Sequence, residues 1–207
     1  MVKKYTYLFI AICLIGVLSG FLFFYGNKRV DPDQFHGTLL TTPREIQAFS
    51  LTGIDGKTFD QNSLKGHWSI LFFGFTRCGS MCPTAMGELA KMYRHLVDAR
   101  IEPKPLVVMI TIDPKRDTLD KLKQYVHVFH PDFFGARAPS SALKTLTKEL
   151  GIAYTTVTRT SSLERSYEDI EHTGAFLFFN PRGQLVAFST PPHHADQLVE
   201  DYRLLIQ

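Results

Sequence analysis

Apolar and polar positions change rhythm along this chain, and the changes mark its elements. Residues 5–25, YTYLFIAICLIGVLSGFLFFY, form one uncharged run. At about 1.5 Å per helical residue the run spans roughly 31 Å, close to the ~30 Å hydrocarbon core of a bilayer. Aromatic residues gather at both ends, Tyr5 and Tyr7 on one side and Phe21, Phe23, Phe24 and Tyr25 on the other, as suits two membrane interfaces. A cleaved signal peptide has a shorter apolar stretch and a small-residue cleavage site. The pattern therefore predicts an uncleaved single-span membrane anchor over residues 1–29, touching lipid through residues 5–25. Residues 30–44 are polar and turn-rich and read as a tether. Residues 45–207 carry the patterns of one folded domain.

Within that domain, residues 46–51 and 58–59 flank Asp55-Gly56, a hairpin signal. The run WSILFFGF over residues 68–75 is short, apolar and aromatic, which predicts a buried central strand. Residues 84–99 repeat apolar side chains at helical spacing: Met86, Leu89, Met92, Tyr93, Leu96 and Val97. A second buried strand is expected over 106–112, then helices over 118–129 and 140–150, the latter capped by Ser140 or Ser141. AFLFFN at 175–180 and QLVAF at 184–188 read as strands joined at Pro181-Arg182-Gly183, and residues 195–205 as a closing amphipathic helix. Strand–helix alternation followed by a hairpin and a helix predicts an α/β domain, a mixed sheet with helices on both faces.

Charge narrows the choice of partner. The 207 residues hold 23 Lys and Arg against 20 Asp and Glu. Lys3, Lys4, Lys28 and Arg29 fall in the anchor segment, which has no acid, so residues 30–207 keep 19 bases against 20 acids. The basic excess belongs to the anchor, and the domain lacks the footprint of a nucleic-acid partner. Hydrophobic residues at 44% exclude a disordered chain. Positive residues flank the span on both sides, so charge barely orients it.

Two cysteines lie in the domain, Cys78 and Cys82, in Phe75-Thr76-Arg77-Cys78-Gly79-Ser80-Met81-Cys82-Pro83. They stand where a buried strand gives way to a helix. A helix N-terminus lowers a thiol pKa, and Arg77 adds a positive neighbour. A disulfide needs sulfurs about 2.05 Å apart, whereas two thiolates on one metal lie about 4 Å apart. A spacing of three intervening residues leaves redox and metal chemistry both open. Soft thiolates select Cu(I), zinc or iron–sulfur clusters, and with two cysteines a mononuclear metal needs a further donor.

Eight histidines are available. His36 and His67 lie in polar turns, and His127/His130 and His193/His194 read as surface residues, able at most to hold a metal weakly and adventitiously. His172 differs. It stands in Glu171-His172-Thr173-Gly174, immediately before the AFLFFN strand, where loops feeding a central strand gather functional groups.

At these residues the chain resembles the Sco/SenC family of membrane-anchored copper chaperones. Leu71-Phe72-Phe73-Gly74-Phe75-Thr76-Arg77-Cys78 through Cys82-Pro83 is similar to the family's strand and metal motif. Ile112-Asp113-Pro114-Lys115-Arg116-Asp117-Thr118 resembles its Asp-Pro-x-Arg-Asp-Thr segment. His172 with Asn180-Pro181-Arg182-Gly183 resembles its histidine-bearing region. The sequence departs at Gly79, where many members have proline, and at Glu171, where an aspartate is common; neither removes a donor atom.

The resemblance implies a thioredoxin-like fold, with Cys78, Cys82 and His172 as copper ligands and Asp113 as a residue supporting them. It implies delivery of copper, as Cu(I), to the binuclear copper centre on the copper-bearing subunit of cytochrome c oxidase. A Cys78–Cys82 disulfide would close the site, so a thiol reductant is a further expected partner. The expected location is the inner (cytoplasmic) membrane, single-pass, with the domain in the periplasm. A thiol–disulfide oxidoreductase acting on the oxidase's copper-site cysteines or another exported protein is the alternative, and a copper or redox sensor is a third class.

Overall fold

The computed structural model describes Gly16, residues 32–160 and residues 166–207. Gly16 aside, the expected span over residues 5–25 lies outside the described residues, among which no helix is long and apolar enough to cross a membrane.

An eight-stranded mixed sheet forms the centre, in the order β1 (Thr38–Arg44), β10 (Leu185–Ser189), β9 (Phe176–Phe179), β4 (Ser69–Gly74), β5 (Leu106–Thr111), β6 (Phe134–Arg137), β2 (Ser50–Gly53), β3 (Thr58–Asp60). Its middle strand is β4 (Ser69–Gly74), every residue of which is buried. β4 runs parallel to β5 (Leu106–Thr111) and antiparallel to β9 (Phe176–Phe179), with Phe72 opposite Met109 on one side and Phe176 on the other. Full burial on both faces explains why these strands read as unbroken apolar runs. Each buried Phe, Leu or Ile here stabilises the fold by roughly 1.5–3 kcal/mol.

Four helices pack around the sheet: α1 (Met81–Asp98), α2 (Leu119–Phe129), α3 (Ser140–Leu150) and α4 (Ala195–Leu205). α1 follows β4 directly and turns Cys82, Met86, Leu89, Tyr93 and Leu96 into the core. It begins three residues before the expected start, because Pro83 is tolerated in the first turn, where no backbone donor is needed. Thr118 caps α2, its side chain accepting the Lys121 N–H. The cap of α3 is Pro139, not Ser140 or Ser141; Ser140 is already the first helical residue and neither serine makes the capping bond.

Three further differences come from strands with little apolar signal. Thr38–Arg44, within the expected tether, is β1, paired antiparallel to β10 (Leu185–Ser189). It is an edge strand containing Pro43, which an edge tolerates, and only Leu39 and Leu40 are partly covered. The folded domain therefore starts before residue 45. β6 (Phe134–Arg137) is a four-residue strand holding a glycine. β7 (Tyr154–Thr160) and β8 (Ser166–His172) form a separate two-stranded sheet, polar on both faces, in which Ile170 alone is buried. The expected hairpin is present as β2 (Ser50–Gly53) and β3 (Thr58–Asp60).

A buried carboxylate ties the entering chain to the last helix. Asp201, 1% exposed, accepts the backbone N–H groups of His36 at 2.7 Å and Gly37 at 3.0 Å, and faces His36 Nδ1 at 3.1 Å. Asp201→Ala strands those donors, which is expected to lower stability by roughly 2–3 kcal/mol. Urea unfolding of the full chain measures this, and an unchanged midpoint would show that β1 does not depend on Asp201.

Candidate metal centre

The site is built at the carboxyl end of β4. The chain leaves that strand through Phe75 and Thr76, and Asp117 fixes the exit. Asp117 is 1% exposed and accepts the Thr76 N–H at 3.0 Å, the Thr76 hydroxyl at 2.6 Å and the Thr111 hydroxyl at 2.6 Å. Those bonds hold the ends of β4 and β5 together and aim the following loop. Cys78 N–H then donates to Phe75 O, and the chain enters α1 at Met81.

Cys78 is half-buried and Cys82 fully buried; both are free thiols. The Cys82 N–H, one of the open donors of the first helical turn, donates to Cys78 Sγ at 3.3 Å. Cys82 Sγ lies against Gly74. A Cβ on that glycine would come within 3.0 Å of the sulfur, 2.7 Å of Phe72 and 3.2 Å of Met109. The absent side chain is thus what lets the sulfur reach the strand.

His172 is the last residue of β8, and the next residue clamps the hairpin base: Thr173 N–H donates to Ala153 O at 3.0 Å. Its ring sits edge-on to Phe72 and Phe75, each 6.0 Å away. Nε2 faces Cys82 Sγ at 3.4 Å. Nδ1 is buried without a partner, a costly arrangement for a polar atom. The two sulfurs and the imidazole nitrogen all lie within 4.8 Å of one another, the one three-donor group of its kind among the described residues. Two soft sulfurs and an imidazole aimed at them form a set suited to a soft, low-coordinate ion.

The two thiols divide one proton unequally. The hydrogen bond from Cys82 holds the Cys78 thiol far below its usual range, at about 4, against the opposing pull of burial and with help from His172. That same bond, and then burial, push the Cys82 thiol far up. Cys78 is the thiolate and Cys82 keeps the proton. Burial, followed by the negative charge of the cysteine pair and of Asp117, raises the Tyr125 phenol as well.

Of the residues singled out from sequence, Cys78, Cys82 and His172 converge. The Asp113 carboxylate instead meets the Arg116 guanidinium, which also donates to Glu168 O in β8 at 3.4 Å. The carboxylate that braces the cysteine loop is Asp117, which sequence reading missed; its signal was a second acid in the same Asp-Pro segment, with one threonine ending β5 and another two residues beyond β4. His130 packs on Tyr93 with ring centres 4.4 Å apart. His193 stacks on Phe176 at 3.8 Å, with Nε2 2.9 Å from Gly174 O, and burial lowers its pKa.

Comparison with known proteins agrees with this arrangement. Residues 38–207 match the SCO1/SenC family. A SCO2-like protein of Rickettsia typhi is 38% identical over 145 residues, 68% of this chain and 67% of its own. The crystal structure of Arabidopsis thaliana ScoI with copper bound has a TM-score of 0.70 at 27% identity, covering 78% of this chain and 98% of that one. BsSco, described as having a disulfide switch and as a member of the Sco family of cytochrome c oxidase assembly proteins, shares the fold. Its TM-score is 0.58 at 18% identity, over 80% of this chain and 96% of its own. With the match running from the first strand to the last residue, and both cysteines and His172 inside it, this chain belongs to the SCO1/SenC family.

Proposed function

We propose that this chain is a copper metallochaperone that carries Cu(I) on Cys78, Cys82 and His172 and passes it to the binuclear copper centre of cytochrome c oxidase. The observation that carries this reading is the convergence of two sulfurs and an imidazole within 4.8 Å. In it, Cys78 presents a thiolate at the surface and Cys82 gives up its proton as the ion binds. His172 offers Nε2, and an ion there offsets the burial of a ring whose other nitrogen has no partner. Three donors leave a coordination position open, so an acceptor ligand can bind before a chaperone ligand leaves. Asp113 contributes through Arg116, which links its carboxylate to the strand bearing His172.

The same two sulfurs gate the site. Forming a Cys78–Cys82 disulfide from the Cys78 thiolate and the Cys82 thiol passes two electrons and one proton to an oxidant and removes both sulfur donors; a thiol reductant returns them. That dependence favours an exported domain, facing the periplasm from the inner membrane and held by residues 5–25 as a single span. The depressed Cys78 thiol also favours a second reading, a thiol–disulfide oxidoreductase with Cys78 as nucleophile. The two readings differ over His172, which the reductase does not require.

A competitive Cu(I) titration of the reduced full chain separates them. His172→Ala is expected to weaken Cu(I) binding by about tenfold or more, while a thiol count after oxidation still finds the Cys78–Cys82 disulfide. His130→Ala is expected to change neither. Wild-type affinity in His172→Ala would remove His172 from the site and favour the reductase.

Cysteine alkylation tests the unequal thiols. With a folded pKa at about 4, Cys78 stays ionised as pH falls from 8 to 6 and loses its thiolate only near pH 4. Its iodoacetamide rate should therefore stay nearly level from pH 8 to 6, where an ordinary thiol slows by roughly a hundredfold. Cys82, fully buried, should stay unmodified in the folded chain. A Cys78 rate that falls like that of a free thiol would refute the assignment of the thiolate.

A further inference from the structure

We propose that Met81 is a further soft donor of this site, a rim thioether that exchanges with His172 as Cu(I) enters and leaves. The inference rests on the copper reading above. Met81 is the first residue of α1 and immediately precedes Cys82, in the turn of chain that runs from Cys78 to Cys82. Its neighbour Cys82 is fully buried, yet Met81 is 38% exposed, one of four large apolar side chains so placed among the described residues.

The sulfur does not point at random into solvent. It lies over Gly174, two residues beyond His172. A Cβ at Gly174 would stand 2.7 Å from Met81 Sδ and 3.1 Å from Pro191 Cγ. Gly174 also has φ +67°, which a side chain would oppose. A glycine therefore keeps open the space in which the thioether rests, on the segment that carries the imidazole.

The chemistry suits an exchange. Methionine is unbranched, with several rotatable bonds and a polarisable sulfur, and thioethers favour Cu(I). Both Met81 Sδ and His172 Nε2 are neutral donors. As the Sδ–copper bond forms, the Nε2–copper bond breaks; the ion stays Cu(I), no proton moves, and the charge from the two thiolates is unchanged. Cys82 is too deeply buried to lead the ion out, whereas Met81 is already at the surface.

Met81→Leu removes the sulfur but retains an apolar side chain against Gly174 and Pro191. With the reduced full chain loaded with Cu(I), release to a chromophoric chelator is expected to slow about tenfold in Met81→Leu. X-ray absorption of Cu(I)-loaded His172→Ala should show three sulfur neighbours, falling to two in the His172→Ala/Met81→Leu double variant. Equal release rates in wild type and Met81→Leu, or two sulfur neighbours in His172→Ala, overturn the role of Met81 and leave the Cys78–Cys82–His172 reading standing. A wild-type chain that takes up no Cu(I) overturns both.

Discussion

The Asp117 carboxylate is the constraint on which the site depends. A buried acid is stable only when its oxygens are satisfied, and here they are satisfied by groups from two different strand ends. Thr76 offers a backbone and a hydroxyl donor and Thr111 a hydroxyl donor. The outcome is a rigid corner where β4 and β5 stop together and the chain must turn toward α1. The cysteine loop inherits its direction from that corner, and Gly74 beneath it supplies the space for Cys82.

Helix geometry then sets the two thiols apart. The hydrogen bond between the two thiols stabilises negative charge on Cys78, with a smaller share from the open N–H of Cys82, while that same bond and then the core around Cys82 oppose charge there. One position becomes a half-buried nucleophile and the other a buried proton store, although their covalent chemistry is identical. On the proposed reading, a soft cation would take the place of that proton, and binding it would displace one proton in the same event.

How far the sequence displayed all this depended on burial. β4, β5 and β9 were legible because both their faces are covered and their sequences are unbroken apolar runs; α1, α2 and α4 were legible because one face is covered. β1, β7 and β8 bury too little to leave a periodic trace, and Pro43 argued further against a strand. The cysteine pair was visible as chemistry, and the place of His172 before a central strand set it apart from the other histidines, but its assignment as the third donor came from the family resemblance. Asp117 was hidden for a related reason: Thr111 is near it in sequence, but Thr76, which supplies two of its three donors, lies 41 residues away and is brought to it by the parallel pairing of β4 with β5.

The polar β7–β8 hairpin carries a consequence for how the centre comes together. Cys82 lies in the buried face of α1 and Cys78 in the loop that leads into it, whereas His172 ends a two-stranded sheet that buries only Ile170 and is fastened at its base by Ala153 and Thr173. Such a hairpin has little cohesion of its own. An ion that bridges the sulfurs to His172 therefore acts as a cross-link between a firm body and a loose arm. By linkage, whatever free energy the imidazole contributes to holding the ion also lowers the free energy of the docked arm. The loaded and empty proteins should then differ at this one face in how firmly the arm is held.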